Sequence, residues 1–211
     1  MKENNYYLEY LKNASRFPRS IYNKGKHDAV RDCLSGLPFG ARVLDAGCGL
    51  GQVTGKYAGQ YRIFGLDDEE SAVQYCREHW NGNYVRGGLY DIPFEDNFFD
   101  SVVFLDVIEH LKEPVIALRE LARVLKPGAS ILICTINYAN LLWSVGEYLW
   151  YPLFGGSFKP YSREVHPTRY TDKLLREHCV GLFEEIYLVK RVMRMELFYL
   201  GKKPLKYGDT K

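Results

Sequence analysis

The chain has 211 residues, 46% hydrophobic and 26% charged, which is typical of one globular domain with a complete hydrophobic core. Its 28 basic and 26 acidic residues give a formal net charge of +2, so the composition argues against nucleic acid as a partner. Its five scattered cysteines form no C-x-x-C pair, which indicates neither a disulfide framework nor a zinc site and fits reduced thiols in a cytoplasmic protein.

Two stretches bear on targeting and on membranes. The first ten residues, MKENNYYLEY, lack the apolar core of a signal peptide. The longest apolar run, 141–154, is too short to span a bilayer and contains Glu147 and Pro152. We therefore expect a cytoplasmic protein without a membrane-spanning helix.

Strand and helix patterns alternate along the first half of the chain. Residues 1–38 are expected to be helical and to form an N-terminal lid. Strands are predicted at 42–45, 61–66 and 83–86, with helices at 52–58 and 69–79 between them. The apolar runs of the strands are continuous rather than alternating, as expected when helices cover both faces of a sheet.

The second half continues this alternation and then departs from it. A strand is predicted at 99–105, a helix at 114–124 that opens on Pro114 and ends at Lys126-Pro127-Gly128, and a strand at 130–135. Two further strands, 183–190 and 195–200, are too close in sequence for a parallel crossover and should pair antiparallel. The order predicts a single α/β domain over 1–211 with a doubly wound, mainly parallel sheet.

The segment 137–168 interrupts the alternation and is rich in aromatic residues. Eight lie between Tyr138 and Tyr161, which is one residue in three against 15% for the whole chain. Aromatic side chains bury large areas and suit a flat, apolar molecule, so we expect this insertion to cover the acceptor site. A small separate core, a homodimer face or a peripheral membrane contact are the alternatives.

The residues V-L-D-A-G-C-G-L-G-Q at 43–52 place three glycines at every second position after a strand. Glycine is conformationally costly in an ordered element, so such a cluster indicates that another group approaches the backbone closely. In an open α/β sheet this turn lies where ligands bind, and a helix after it would offer free backbone N–H groups. Asp67 ends the second strand and can accept hydrogen bonds from both hydroxyls of a ribose. These features predict a nucleoside-containing ligand.

Two nucleoside ligands compete for this turn. A dinucleotide expects G-x-G-x-x-G, but the last position of that pattern is Gln52. Asp45 beside the turn would repel a pyrophosphate, whereas it favours a ligand that carries ammonium and sulfonium cations. Electrostatics therefore favours S-adenosylmethionine over NAD.

Five motifs, in order, resemble those of the class I S-adenosylmethionine-dependent methyltransferases, particularly the small-molecule branch that includes quinone-biosynthesis enzymes. They are V-L-D-A-G-C-G-L-G from Val43, G-L-D ending at Asp67, D-I-P-F-E-D-N-F-F-D from Asp91, D-V-I-E-H-L from Asp106 and R-V-L-K-P-G from Arg123. The resemblance covers about 43–130. It implies a Rossmann-like methyltransferase fold with a seven-stranded sheet whose last strand is antiparallel.

The resemblance also implies which residues hold S-adenosyl-L-methionine. Those assigned to the methionine part are Asp45, Gly47, Cys48, Gly49 and Gly51, and those assigned to the adenosine are Asp67, Asp68, Leu89 and Leu105. Many relatives bind the adenine amino group through an Asp within a Gly-Asp-Ala triplet. This chain has Gly88 at that position, so the contact is lost or made by another group.

Methyl transfer needs an acceptor held close to the methyl carbon and aligned with it in a dry site. An oxygen acceptor must also lose its proton, so a nearby base would help. His110 follows the fourth strand at the acceptor end and is the leading candidate, with a packing or capping role as the alternative. His166 is a weaker candidate, because a loop histidine before proline is often a turn residue. No cluster of potential ligands predicts a metal site.

These observations predict a methyltransferase that acts on a small, aromatic or lipid-like acceptor, with O-methylation favoured and nitrogen or carbon acceptors open. An NAD-dependent oxidoreductase is one alternative. The other is a methyltransferase-like protein that binds the cofactor without catalysis and serves as a partner of another protein.

Overall fold

A computed structural model describes residues 19–141, 145 and 165–205 of the chain. The first half of the predicted N-terminal lid and most of the aromatic insertion lie outside these residues. Within them, no helix has both the length and the apolar character needed to cross a bilayer.

The described residues form a seven-stranded sheet, as the family resemblance implies. Its strands are β1 (Arg42–Ala46), β2 (Arg62–Asp67), β3 (Asn83–Arg86), β4 (Phe99–Leu105), β5 (Leu125–Ile136), β6 (Glu184–Arg191) and β7 (Glu196–Lys202), in the order β3-β2-β1-β4-β5-β7-β6. The first five strands are parallel, β7 runs antiparallel to β5, and β6 runs antiparallel to β7. The predicted doubly wound α/β fold with antiparallel C-terminal strands is therefore confirmed.

Four described helices accompany the sheet: α1 (Arg19–Leu34), α2 (Glu70–His79), α3 (Pro114–Val124) and α4 (Asp172–Cys179). Pro114 occupies the first turn of α3, where its missing N–H is not needed. The side chain of Thr171 caps α4 by accepting a hydrogen bond from the backbone N–H of Leu174. Short 3₁₀ turns lie at Gly55–Tyr57 and Ile108–His110.

Both faces of the sheet are buried. Neighbouring residues along a strand point to opposite faces, and both members of such pairs are buried here. Leu44 of β1 and Ile133 of β5 join the cluster that includes Leu121 of α3. Val43 and Leu132, their neighbours in sequence, join the cluster that includes Ala29 of α1. This two-sided burial explains why the strands have continuous apolar sequences.

The helix predicted at 52–58 is wrong. Those residues form turns and the single 3₁₀ turn Gly55–Tyr57. Gly51 has φ +65°, and a Cβ on Gly55 would lie 2.4 Å from a ring carbon of Trp80, so the backbone is pressed against that side chain. A regular helix there would require that packing to change.

The predicted start of the fifth strand is also wrong, because β5 begins at Leu125 rather than 130. Phe99 pairs with Leu125, and the register then shifts so that Ser101 pairs with Ser130. Gly128, with φ +77°, lies inside this bulge and donates its N–H to the carbonyl of Lys203. The Lys-Pro-Gly stretch therefore forms an irregular part of the strand.

Candidate active site

The predicted site residues gather at one edge of the sheet. The parallel strands β1, β2 and β4 end there at Ala46, Asp67 and Leu105. Chain order reverses between β1 and β4, and ligands of open α/β sheets bind at such a point. Because β7 is antiparallel, its first residue, Glu196, lies at the same edge.

The three glycines of the turn after β1 differ in what surrounds them. A Cβ on Gly47 would lie 2.5 Å from Val107, and one on Gly51 would lie 3.0 Å from Trp80. No described atom lies within 4 Å of the position that a Cβ on Gly49 would take. Gly47 and Gly51 are therefore glycines because the protein itself approaches them, whereas Gly49 leaves open space for a ligand.

Four backbone N–H groups of this turn are bonded within the protein. Those of Gly47 and Cys48 donate to the carbonyl of Leu66 at 2.7 and 3.0 Å. That of Gly51 donates to the carbonyl of Cys48 at 2.8 Å, and that of Gly49 to the carboxylate of Asp67. The helix N-terminus expected after this turn is absent, because residues 52–58 form no regular helix. A pyrophosphate would need the N–H donors of such a helix end, so the turn fits a cationic ligand better.

Asp67 connects the turn to the next strand. Its Oδ2 accepts from the N–H of Gly49 at 2.8 Å and its Oδ1 from the N–H of Glu69 at 3.0 Å. Burial raises the pKa of this carboxyl, and the two backbone hydrogen bonds oppose that shift. Each carboxylate oxygen can accept a further hydrogen bond, so the arrangement leaves room for both hydroxyls of a ribose.

The remaining predicted adenosine residues lie around the ends of β2, β3 and β4. Asp68 is exposed, whereas Leu89 and Leu105 are half-buried. Gly88 is exposed, with no described atom within 4 Å of the position that a Cβ on it would take, so nothing described fills the place of the missing adenine-binding acid. The assignment of these residues to the cofactor stays a prediction.

Asp45 is buried beneath the turn and accepts a short hydrogen bond from the hydroxyl of Thr54. Burial raises its pKa to about 7, against the effect of that hydrogen bond, and the charge of Asp67 adds to the rise. The carboxyl therefore fixes the side chain of Thr54, which follows the glycine turn in the sequence, and it also lies beside the predicted methionine site.

His110 and His166 come together at the end of β4. Their ring centroids are 4.4 Å apart with an interplanar angle of 80°. His110 is exposed, and its Nδ1 lies 2.9 Å from the carbonyl of Val165. A carbonyl can only accept, so Nδ1 carries the proton and Nε2 of the neutral ring carries the lone pair. The sequence analysis identified each histidine as a candidate base but did not predict that the two rings are in contact.

His166 is buried and makes a short hydrogen bond through Nδ1 with the hydroxyl of Tyr138. Burial and, to a smaller extent, the neighbouring His110 lower its pKa to about 4. A ring of this kind stays neutral at physiological pH. His166 is therefore suited to supporting His110 rather than to taking up a proton itself.

A buried ionic group beside the site was missed in the sequence. The ammonium of Lys26, on α1, forms a short ion pair with Asp106 and lies 3.3 Å from Glu196. Asp106 directly follows β4 and has φ +54°, a backbone conformation that Asp tolerates better than most residues. No local sequence pattern marks Lys26 as buried, because its partners are far along the chain.

Among the described residues, two acids of this group and the nearby Cys134 are arranged as the ligands of a metal ion could be. Ligand atoms of Asp106, Cys134 and Glu196 lie within 4.8 Å of one another. The ammonium of Lys26 already bonds to the first and lies against the third, so it supplies the positive charge there.

Glu109 was also missed, although it lies within the D-V-I-E-H-L motif. It is buried, and its Oε2 accepts from the hydroxyl of Thr135 at 2.8 Å, while its Oε1 has no hydrogen-bond partner among the described residues. Burial raises its pKa to about 8, and Asp106 contributes to the rise. The carboxyl is therefore mostly protonated at neutral pH.

Comparison with known families gives a match over the central part of the chain. The family model described as "Methyltransferase domain" matches residues 44–133, which run from β1 to β5. This range contains the glycine turn, Asp67 and the segment after β4.

Curated relatives and solved structures agree with that match. The ubiquinone biosynthesis O-methyltransferase of Alkalilimnicola ehrlichii is 33% identical over 57% of this chain and 51% of its own length. The malonyl-[acyl-carrier protein] O-methyltransferase of Erwinia pyrifoliae is 36% identical over 61% of this chain and 52% of its own length. The chain thus spans about half the length of these relatives. The structure of a SAM-dependent methyltransferase of Thermotoga maritima has the same fold, with a TM-score of 0.71 and 15% identity over 95% of this chain and 97% of that one.

Proposed function

We propose that this chain, whose residues 44–133 match a methyltransferase domain, is of the class I S-adenosylmethionine-dependent type and methylates an oxygen of a small aromatic or lipid-like acceptor. Part of the support is that the two curated relatives described above are named as O-methyltransferases. The observation that carries the proposal is the histidine pair at the acceptor end of β4, since it supplies a base for an oxygen acceptor.

The donor site fits S-adenosyl-L-methionine on the geometry of the glycine turn. The open space beside Gly49 lies next to the carboxylate of Asp67, because the backbone N–H of Gly49 donates a hydrogen bond to that carboxylate. When bound, the donor supplies a methyl group on a positively charged sulfur. The carboxylate of Asp67 favours that charge, and the turn lacks the regular helix N-terminus at which a pyrophosphate would bind.

His110 is proposed as the base that takes the proton from the acceptor oxygen. Its Nδ1–H donates to the carbonyl of Val165, which orients the ring and leaves Nε2 able to accept a proton. His166 and Tyr138 pack behind it as neutral groups, so they hold the ring without competing for the proton.

The aromatic insertion is proposed as the cover of the acceptor. Val165 lies at the C-terminal end of that insertion, and its carbonyl is the group that holds His110. The end of the insertion is therefore connected to the proposed base. The segment before α1 is proposed to close the opposite side of the same site.

The proposal is tested by incubating the protein with S-adenosylmethionine carrying an isotopic methyl label and a panel of acceptors. The panel contains catechol and phenol precursors of quinones, free and acyl-linked carboxylic acids, and ring-carbon acceptors, and mass spectrometry locates the label. Label on an aromatic hydroxyl is expected. Label only on carbon or nitrogen would overturn the oxygen acceptor, and label only on a carboxylate would overturn the role of a base. Calorimetry that detects a nicotinamide dinucleotide but no S-adenosylhomocysteine would overturn the donor.

A further inference from the structure

The end of α2 lies against the outer side of the glycine turn. Trp80, which follows the helix, donates its indole N–H to the carbonyl of Leu50 at 2.8 Å. The same ring fills the space where Cβ atoms on Gly51 and Gly55 would lie, at 3.0 and 2.4 Å from its nearest atoms. One side chain thus contacts three residues of a segment that has no regular helix of its own.

Cys76, one helical turn before Trp80, contacts the adjoining residue of the turn. Its thiol lies 3.2 Å from the carbonyl of Gly49, in hydrogen-bonding position. Residues four apart on a helix share a face, so α2 presents both side chains to the turn together. The outward carbonyls of Gly49 and Leu50 are therefore fixed by α2, while the open side of Gly49 remains towards the proposed ligand.

We propose that Trp80 is a positioning residue for the methyl donor, which holds residues 49–55 in the conformation that accepts it. This inference rests on the donor site proposed above. Gly49 has φ +49° and Gly51 has φ +65°. Because glycine can adopt many backbone conformations, contacts from outside the turn are needed to keep it in this one. A turn that is already ordered before binding loses less conformational freedom when the donor binds.

The main test compares Trp80→Phe with Tyr61→Phe. Trp80→Phe keeps an aromatic ring but removes the N–H that bonds Leu50. Tyr61→Phe is the matched control, because the Tyr61 hydroxyl also donates to a backbone carbonyl, that of Leu34, at 2.7 Å and away from the turn. We expect Trp80→Phe to raise the Kd for S-adenosylhomocysteine and the KM for the donor about three- to tenfold. The kcat at saturating donor should stay within about twofold of wild type.

A second test uses the contact between Trp80 and Gly55. Gly55→Ala should raise the Kd for S-adenosylhomocysteine about tenfold or more, because the new Cβ collides with the ring. In the Trp80→Leu background, where the ring is gone, the same Ala should add less than about twofold. Gly55 suits this test because it is not among the residues with positive φ, so Ala strains the packing rather than the backbone.

Two outcomes would overturn the inference. One is a Trp80→Phe variant that loses as much thermal stability as Tyr61→Phe but binds donor and product as wild type does, which would make the role purely structural. The other is an additive effect of Gly55→Ala and Trp80→Leu on the Kd. An Asp67→Asn variant with unchanged affinity for S-adenosylhomocysteine would instead overturn the proposed donor site itself, so the two failures are distinguishable.

Discussion

The imidazole ring of His110 stands edge to face against that of His166, with centroids 4.4 Å apart, while its Nδ1 faces the carbonyl of Val165. These contacts fix the orientation of one ring between a neutral neighbour and a backbone acceptor. The burial of His166 lowers its pKa to about 4, so the pair does not carry two positive charges at neutral pH. Two histidines from distant parts of the chain thus provide one exposed proton acceptor.

Replacing His110 by Ala should reduce kcat about a hundredfold or more, because general-base catalysis contributes on that scale. The Kd for S-adenosylhomocysteine, measured by calorimetry, should change less than about twofold, since no donor contact is assigned to this ring. His79→Ala is the control, because His79 is exposed on α2 and stacks on Tyr75. Weakened product binding with unchanged kcat would reassign His110 to the cofactor.

Asp67→Asn should weaken binding of S-adenosylhomocysteine about tenfold or more. The amide keeps one acceptor oxygen, so it cannot hold the N–H groups of Gly49 and Glu69 and accept from two ribose hydroxyls as well. The affinity is measured by calorimetry, and the control is Glu78→Gln, which neutralises an exposed acid on the neighbouring helix α2. Equal affinity in the two variants would argue against the ribose assignment.

The elements that local sequence determines were predicted well. The observed bounds of β4, Phe99–Leu105, and of α3, Pro114–Val124, equal the predicted ones. A continuous apolar run and a proline in the first turn carry these signals without help from distant residues.

The features that depend on distant contacts were not predicted. The turn at 52–58 takes its shape from Trp80, and the burial of Lys26 depends on Asp106 and Glu196, 80 or more positions further along the chain. The two candidate histidines were found singly, because their residue type and place after a strand or insertion are visible in the sequence. Their contact depends on how the chain returns to the sheet edge after the insertion.

Asp45→Asn should change how stability varies with pH. Burial raises the pKa of Asp45 to about 7 from the ordinary 3.8, so between these values the folded protein binds more protons than the unfolded chain. The carboxyl therefore supports stability fully below about pH 4, and this contribution is lost as the pH rises to about 7. The asparagine should remove that loss.

Denaturant unfolding at pH 5 and pH 8 measures this effect. The decrease in unfolding free energy between the two should be smaller in Asp45→Asn than in wild type by on the order of 2–3 kcal/mol. Asp32→Asn, on the exposed face of α1, is the control and should keep the wild-type dependence. An identical slope in wild type and Asp45→Asn would contradict the raised pKa.

Lys26→Met tests the ionic group that connects α1 to the sheet edge where β4 ends. The change removes the ammonium that pairs with Asp106 and lies against Glu196. Even with that ammonium present, burial raises the pKa of Glu196 to about 7. Asp106 is partly exposed, but leaving the buried Glu196 without its partner typically costs about 3 kcal/mol, so the unfolding free energy at pH 7 should fall by about that amount.

Lys24→Met is the matched control for this change, since Lys24 lies two residues earlier on α1 and forms an exposed pair with Asp28. Exposed pairs contribute less than about 1 kcal/mol, so this variant should unfold nearly as wild type does. Adding Glu196→Gln to Lys26→Met should restore part of the loss, because it removes one of the two acids left unpaired. Equal stability of the Lys26 and Lys24 variants would mean that the Lys26 ammonium contributes no more to stability than an exposed surface charge.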